Sequence, residues 1–233
     1  MLDYLSDPRD RVLLNATPCL MAPRFGQLPP VAVGTHRFVA AASGLFVQAR
    51  TRALAVTLKV ADTIPLPYGD LQESVTLAGG RLPLALYARM RAAALAAVPL
   101  EWAAAVVYDH DAATYRLVEP VVESVSRGHI RYSTASLPDD DLVLDIHSHG
   151  HGQAYFSATD DVSDRKGGTY IACVLGCCGA ASTVEVVTRL VVKGIFFPVP
   201  WTPWDSVSCS PERFPGLTTT EAHCLAHRQA SQR

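Results

Sequence analysis

The 233-residue chain predicts a layered α/β (α+β) domain preceded by a small β-rich region, and three observations predict it. One Ala- and Leu-rich segment has helical spacing, a series of short β-branched runs follows it, and a stretch of brief apolar runs broken by Pro and Gly comes first. A composition that is 49% hydrophobic is ample for a packed interior, so the length allows one large domain or a core domain with a smaller companion.

Residues 1–80 carry β-type runs at Phe38-Val39 and 53–60, with breakers at Pro29-Pro30, Pro65, Pro67 and Gly79-Gly80. They read as a β-rich N-terminal region. Residues 82–98 form the predicted helix. Pro83 suits a first turn, Leu84, Tyr87, Met90 or Arg91 and Leu95 recur at helical spacing, and Pro99 ends it. The runs 101–108, 115–122 and 142–146, bounded by Asp, Gly, Ser and Pro, read as strands. A short helix is expected over 157–166, followed by strands at 171–175, 183–188 and 190–197. The domain so outlined covers 81–200. Residues 201–233, with Trp201, Trp204 and several prolines, lack periodicity and read as an irregular tail.

A net charge of -2 with 20 basic and 22 acidic residues intermixed leaves no stripe suited to a phosphate backbone, so direct nucleic-acid binding is not expected. The first residues lack the basic start and apolar core of a secretory signal, and no later run reaches membrane-spanning length. The expectation is a cytoplasmic protein without membrane contact. Cys173, Cys177 and Cys178 lie in or beside an apolar run and read as buried thiols, not as a disulfide framework.

Residues 147–160 read His-Ser-His, seven residues, then Ser-x-x-Asp. On a strand leaving the sheet, His147 and His149 face the same way, because side chains repeat every second residue. A glycine-containing loop can then bring Asp160 back to them. Two imidazoles and a carboxylate favour one Zn²⁺ per chain, with a fourth position left open as in catalytic sites. Asp145 shares the face of His147 and can be read equally as orienting an imidazole or as a solvated carboxylate. Ser148 should point away. Ser157 and Asp160 also fit a helix capping box, which would explain both without a metal. A zinc deaminase would need His-x-Glu and Pro-Cys-x-x-Cys, and neither occurs.

The same residues resemble the JAMM, or MPN+, motif of the JAB/Mov34 metalloproteases, which adds a Glu upstream on a strand after a long helix. Glu101 occupies the corresponding place. The resemblance covers roughly 82–197. It implies a mixed β-sheet flanked by helices, of cytidine-deaminase-like type, with His147, His149 and Asp160 on zinc, Glu101 as general base and Ser157 as donor to the oxyanion. It further implies a protein or peptide substrate, an amide or isopeptide at the C-terminus of a ubiquitin-like modifier. The layout with an N-terminal extension is most similar to the PRTRC-cassette branch, whose neighbours imply a ThiF-like partner. One departure is Gly150, where many members have Pro, and a more flexible loop is expected there. His151 reads as an exposed loop residue, with a third imidazole near the metal as the alternative. Two other readings fit the chain: a non-catalytic MPN scaffold, and a zinc hydrolase of small amide conjugates with a compact pocket.

Overall fold

The N-terminal unit is built from strands whose apolar residues alternate with polar ones. In the computed structural model, which describes residues 7–62, 68–133, 137–166 and 168–204, the chain divides between Thr76 and Leu77 into two units. The first contains α1 (Pro8–Ala16), β1 (Cys19–Met21), β2 (Thr35–Ala41), β3 (Gly44–Arg50) and β4 (Leu54–Ala61), and its last strand, β5 (Ser74–Leu77), runs up to the division. The sheet order is β1-β2-β3-β4-β5, with β1 and β2 parallel and β2-β3-β4 antiparallel. Alternation on β2 buries Arg37, Val39 and Ala41, and Val39 and Ala41 meet Ala22 and Phe46 in the core. The buried Arg37 is satisfied by Gln48 Oε1 at 2.8 Å and the Pro29 carbonyl at 2.6 Å. Helix α1 starts on Asp7, which accepts from the Arg9 amide, and none of its residues is buried.

The second unit opens with α2 (Leu84–Ala97), followed by β6 (Ala103–Asp109), β7 (Thr114–Val118), β8 (Val121–Val125), β9 (Ile130–Ser133) and β10 (Leu142–Ser148). Then come α3 (Ala158–Asp164), β11 (Thr169–Gly176), β12 (Glu185–Val192) and β13 (Ile195–Val199). Six strands form a mixed sheet in the order β13-β12-β11-β10-β6-β7, while β8 and β9 pair as a separate hairpin. Within this six-stranded sheet only β10 and β11 are parallel neighbours, and that pairing requires the crossover that α3 supplies. This is the mixed-sheet α+β layering expected. The core strands β10 and β11 are buried along almost their whole length, with Leu144, Ile146, Ile171 and Leu175 fully enclosed.

Several expectations need correction. The strand over 115–122 is interrupted at Glu119-Pro120, so its end belongs to β8. β12 runs unbroken through Arg189, and the hairpin turns at Lys193-Gly194, where Gly194 takes a φ of 82°. On α2 the buried stripe is Leu86, Met90 and Ala94, with Leu84 exposed. Trp201 to Trp204 form no helix or strand, as expected, and pack irregularly: Trp204 stacks on Tyr87 with centroids 4.3 Å apart, and the Leu82 amide donates to Pro203 at 3.0 Å. The rest of the expected tail, 205–233, lies outside the described residues. Cys173 and Cys178 are buried, but Cys177 is only half-buried and Cys19 is exposed. Among the described residues, no helix is long and apolar enough to cross a membrane.

Candidate metal centre

The C-terminal end of β10, the entry to β6 and the first turn of α3 meet at one place. His147 and His149 sit two residues apart at the end of β10, so both imidazoles leave the same face of the sheet. β6 pairs antiparallel to β10 with Ala103 opposite His147, and continuing that register by two residues puts Glu101 opposite His149. Ser148 points the other way and is fully buried. Its amide donates to the Trp102 carbonyl at 2.7 Å, and its hydroxyl accepts from the Trp102 amide at 3.0 Å. This two-way link holds the segment after Glu101 against the histidine strand.

Asp160 arrives from α3. Ser157 caps the helix, and the box is complete: the Asp160 amide donates to Ser157 Oγ at 3.3 Å, while Asp160 Oδ2 accepts from the Ser157 amide at 2.6 Å. The Ser157 hydroxyl donates to the same oxygen at 2.7 Å. Capping therefore occupies Oδ2 and leaves Oδ1 toward the histidines, 3.4 Å from His147 Nε2. The capping and ligand readings of this pair are compatible, because they use different oxygens.

The Nε2 atoms of His147 and His149 lie 3.3 Å apart. His149 Nδ1 meets the Gln153 carbonyl at 3.0 Å. A carbonyl only accepts, so Nδ1 carries the hydrogen and Nε2 presents its lone pair to the centre. Burial, foremost, pushes the His147 pKa down to about 4; Asp160 opposes this, while His149 and Arg189 add to it. A neutral imidazole is the form that binds a metal. Tetrahedral zinc at about 2.0–2.1 Å from its ligands would set them about 3.3–3.4 Å apart. The separations of 3.3 and 3.4 Å match, and all three ligand atoms lie within 4.8 Å of one another. The residues fit a zinc ion.

Glu101 is 8% exposed. Desolvation raises its pKa to about 7, the charge of Asp160 adds to the rise, and the Ile130 amide, donating to the carboxylate, opposes it. Asp145 does lie on the His147 face, but its partner is Tyr132, whose hydroxyl donates to Oδ1 at 2.8 Å. It is half-buried, and among the described residues its hydrogen bond is to Tyr132 and not to an imidazole. Burial, with the charges of Asp164 and Asp160, raises its pKa to about 7. A cavity of about 330 Å³ opens beside the ligands, lined by Tyr132, Asp145, His147, Phe156 and Asp160 among others.

The loop from Gly150 is joined to the end of β11 by backbone hydrogen bonds. Gly150 takes a φ of 54°, a conformation closed to proline, which explains the departure from the family pattern. Its carbonyl accepts from the Cys178 amide at 2.7 Å, and that of Gly152 from the Cys177 amide at 2.6 Å. His151 is exposed. Sequence reading missed Ser148 as the link to Trp102, Tyr132, and Arg189 at the rear of α3. Only Arg189 carried a signal, as the lone cation in the apolar run Glu185–Val192.

Residues 7–78 match a family described as a domain of unknown function, DUF2016, and residues 83–190 match the prokaryotic homologs of the JAB domain. No curated protein matches the chain. The solution structure of protein DSY2949 from Desulfitobacterium hafniense is similar over 51% of this chain and 88% of that one, at 18% identity and a TM-score of 0.38. That likeness is too distant to carry an argument. The match over 83–190, the stretch that holds Glu101, both histidines and Asp160, supports the JAB/MPN family for this domain.

Proposed function

We propose that the C-terminal domain is a zinc-dependent hydrolase of JAMM type, cleaving an amide or isopeptide bond. The observation that carries this reading is the convergence of His147, His149 and Asp160, whose ligand atoms lie within 4.8 Å of one another and at 3.3 and 3.4 Å for the two pairs that include His147 Nε2, with Glu101 on the same face. When bound, zinc supplies Lewis-acid polarisation and makes water acidic enough to lose a proton near neutral pH. Glu101 takes the proton of the attacking water and delivers it to the departing amine. Ser157 keeps Asp160 turned toward the histidines. Its hydroxyl becomes an oxyanion donor only by turning its hydrogen away from Asp160 Oδ2.

The substrate proposed from the resemblance is the C-terminal tail of a ubiquitin-like modifier. The β8–β9 hairpin favours an extended segment, because it pairs only with itself among the described residues and exposes Val121, Val122 and Val125. Kinship with the PRTRC branch, a ThiF-like partner and a cytoplasmic location belong to the same proposal. A second reading, hydrolysis of small amide conjugates, is favoured by the compact cavity of about 330 Å³ at the ligands. The JAB/MPN family also includes non-catalytic members, so the deciding experiment must read turnover. Zinc-loaded protein is incubated with modifier–peptide fusions and with short acyl-amino-acid amides, beside Glu101→Gln. Cleavage of either class that the variant lacks supports the proposal and tells the two substrates apart. Zinc binding without cleavage of both classes would favour the scaffold.

A further inference from the structure

Helix α3 has only seven residues, too few to hold its shape by helical bonding alone, yet it carries the third ligand of the centre. Its rear is gripped by one side chain. Arg189 on β12 donates through Nη1 to Asp161 Oδ1 at 2.6 Å, and through Nε and Nη2 to Asp164 Oδ2 at 3.0 and 2.5 Å. The guanidinium lies between the rings of Phe156 and Phe196, 3.9 and 4.1 Å from their centroids, and the residue is 6% exposed. Phe156 directly precedes the cap Ser157, so the contacts at 156, 161 and 164 bracket Asp160 from both sides. The sheet register aligns Asp145, Ala172 and Arg189 across three strands, which places Arg189 on the face that bears the histidines.

We infer that Arg189 is a positioning residue for the metal centre: its planar fork on Asp161 and Asp164 sets the turn of α3 that aims Asp160 at His147 and His149. The inference rests on the zinc reading above. A planar guanidinium suits this task and an ammonium does not, because only the fork spans two carboxylates while lying flat between two rings. The capping box fixes how Asp160 is turned relative to Ser157. Arg189 fixes where that whole turn sits relative to the sheet.

The test compares the full-length wild type with Arg189→Lys, Asp161→Ala and Tyr170→Phe. Tyr170 donates to Asp164 Oδ1 at 2.7 Å, so its loss disturbs the same carboxylate but spares the fork. Zinc affinity is read by competition with a chromogenic chelator, site geometry by the visible bands of the Co²⁺-substituted protein, and stability by thermal melting. Arg189→Lys and Asp161→Ala are expected to weaken zinc binding about tenfold or more, the range seen for partners that orient metal ligands, and to alter the cobalt bands. Tyr170→Phe should lower the melting temperature and leave both metal readouts unchanged. The Asp161 side chain is 35% exposed, so Asp161→Ala decides the matter if Arg189→Lys does not fold. Wild-type zinc affinity and cobalt spectra in whichever of Arg189→Lys and Asp161→Ala folds would overturn the inference and leave the zinc reading standing. A wild type that binds no zinc would refute both.

Discussion

Gly176, at the end of β11, lies directly beneath the loop that orients His149. A Cβ at this position would fall 2.0 Å from the Ala154 nitrogen and 2.4 Å from the Gln153 carbonyl carbon. Both obstacles are backbone, and ordinary contact begins at 3.4 Å, so Gly176→Ala must push the loop outward by about 1.4 Å. That displacement exceeds the tolerance of the bonds involved: Cys177 to the Gly152 carbonyl at 2.6 Å, and His149 Nδ1 to the Gln153 carbonyl at 3.0 Å. His149 then loses the acceptor that sets its tautomer. The expected result is a stability loss of about 1–3 kcal/mol in urea unfolding. Zinc affinity should fall about 10- to 100-fold by chelator competition. A Gly176→Ala protein with wild-type zinc affinity would refute the argument that the Gln153 carbonyl prepares His149 for the metal.

Glu101→Gln keeps the shape of the buried side chain and removes the base, so zinc content should stay at the wild-type level while hydrolysis falls by about 10²–10⁴; loss of zinc from this variant would make Glu101 a ligand instead. Ser148→Ala leaves the Trp102 amide without its acceptor at 3.0 Å. It should cost about 1–3 kcal/mol and lower turnover while zinc is retained, and unchanged turnover would dismiss the link to Glu101. For the metal-free protein, Asp145, raised from 3.8 to about 7, contributes stability that is full below 3.8 and lost as pH climbs through 7. His147, lowered from 6.5 to about 4, works oppositely: its contribution is present above 6.5 and lost as pH falls through 4. Asp145→Asn keeps an acceptor for Tyr132 and isolates the first effect. The variant should gain on the wild type between pH 4 and 8 by at most about 4 kcal/mol, and a constant difference across that range would contradict the assignment.

The meeting of His147, His149 and Asp160 was legible because a strand repeats every second residue and a capping box has fixed spacing, so both rules act locally. What remained hidden depends on partners far along the chain. Asp145 could not be read because Tyr132, on β9, is the group that meets it. Arg189 looked like a break between two strands; in the fold its charge is paired twice and covered by two rings, so the strand passes through it. The position of α2 was clear from Pro83 and Pro99, but a segment apolar on nearly every side does not announce its face, and Leu86, Met90 and Ala94 turned inward. The left-handed φ of Gly150 and the bonds of its loop to Cys177 and Cys178 likewise depend on residues beyond the motif.

His147, His149 and Asp160 are proposed to hold one zinc ion. Elemental mass spectrometry of the purified full-length protein, beside His147→Ala, tests it most directly. About one zinc per chain in the wild type, lost in the variant, is the result predicted by the converging ligand atoms. A wild type free of zinc after reconstitution, or a variant as fully loaded as the wild type, would contradict it.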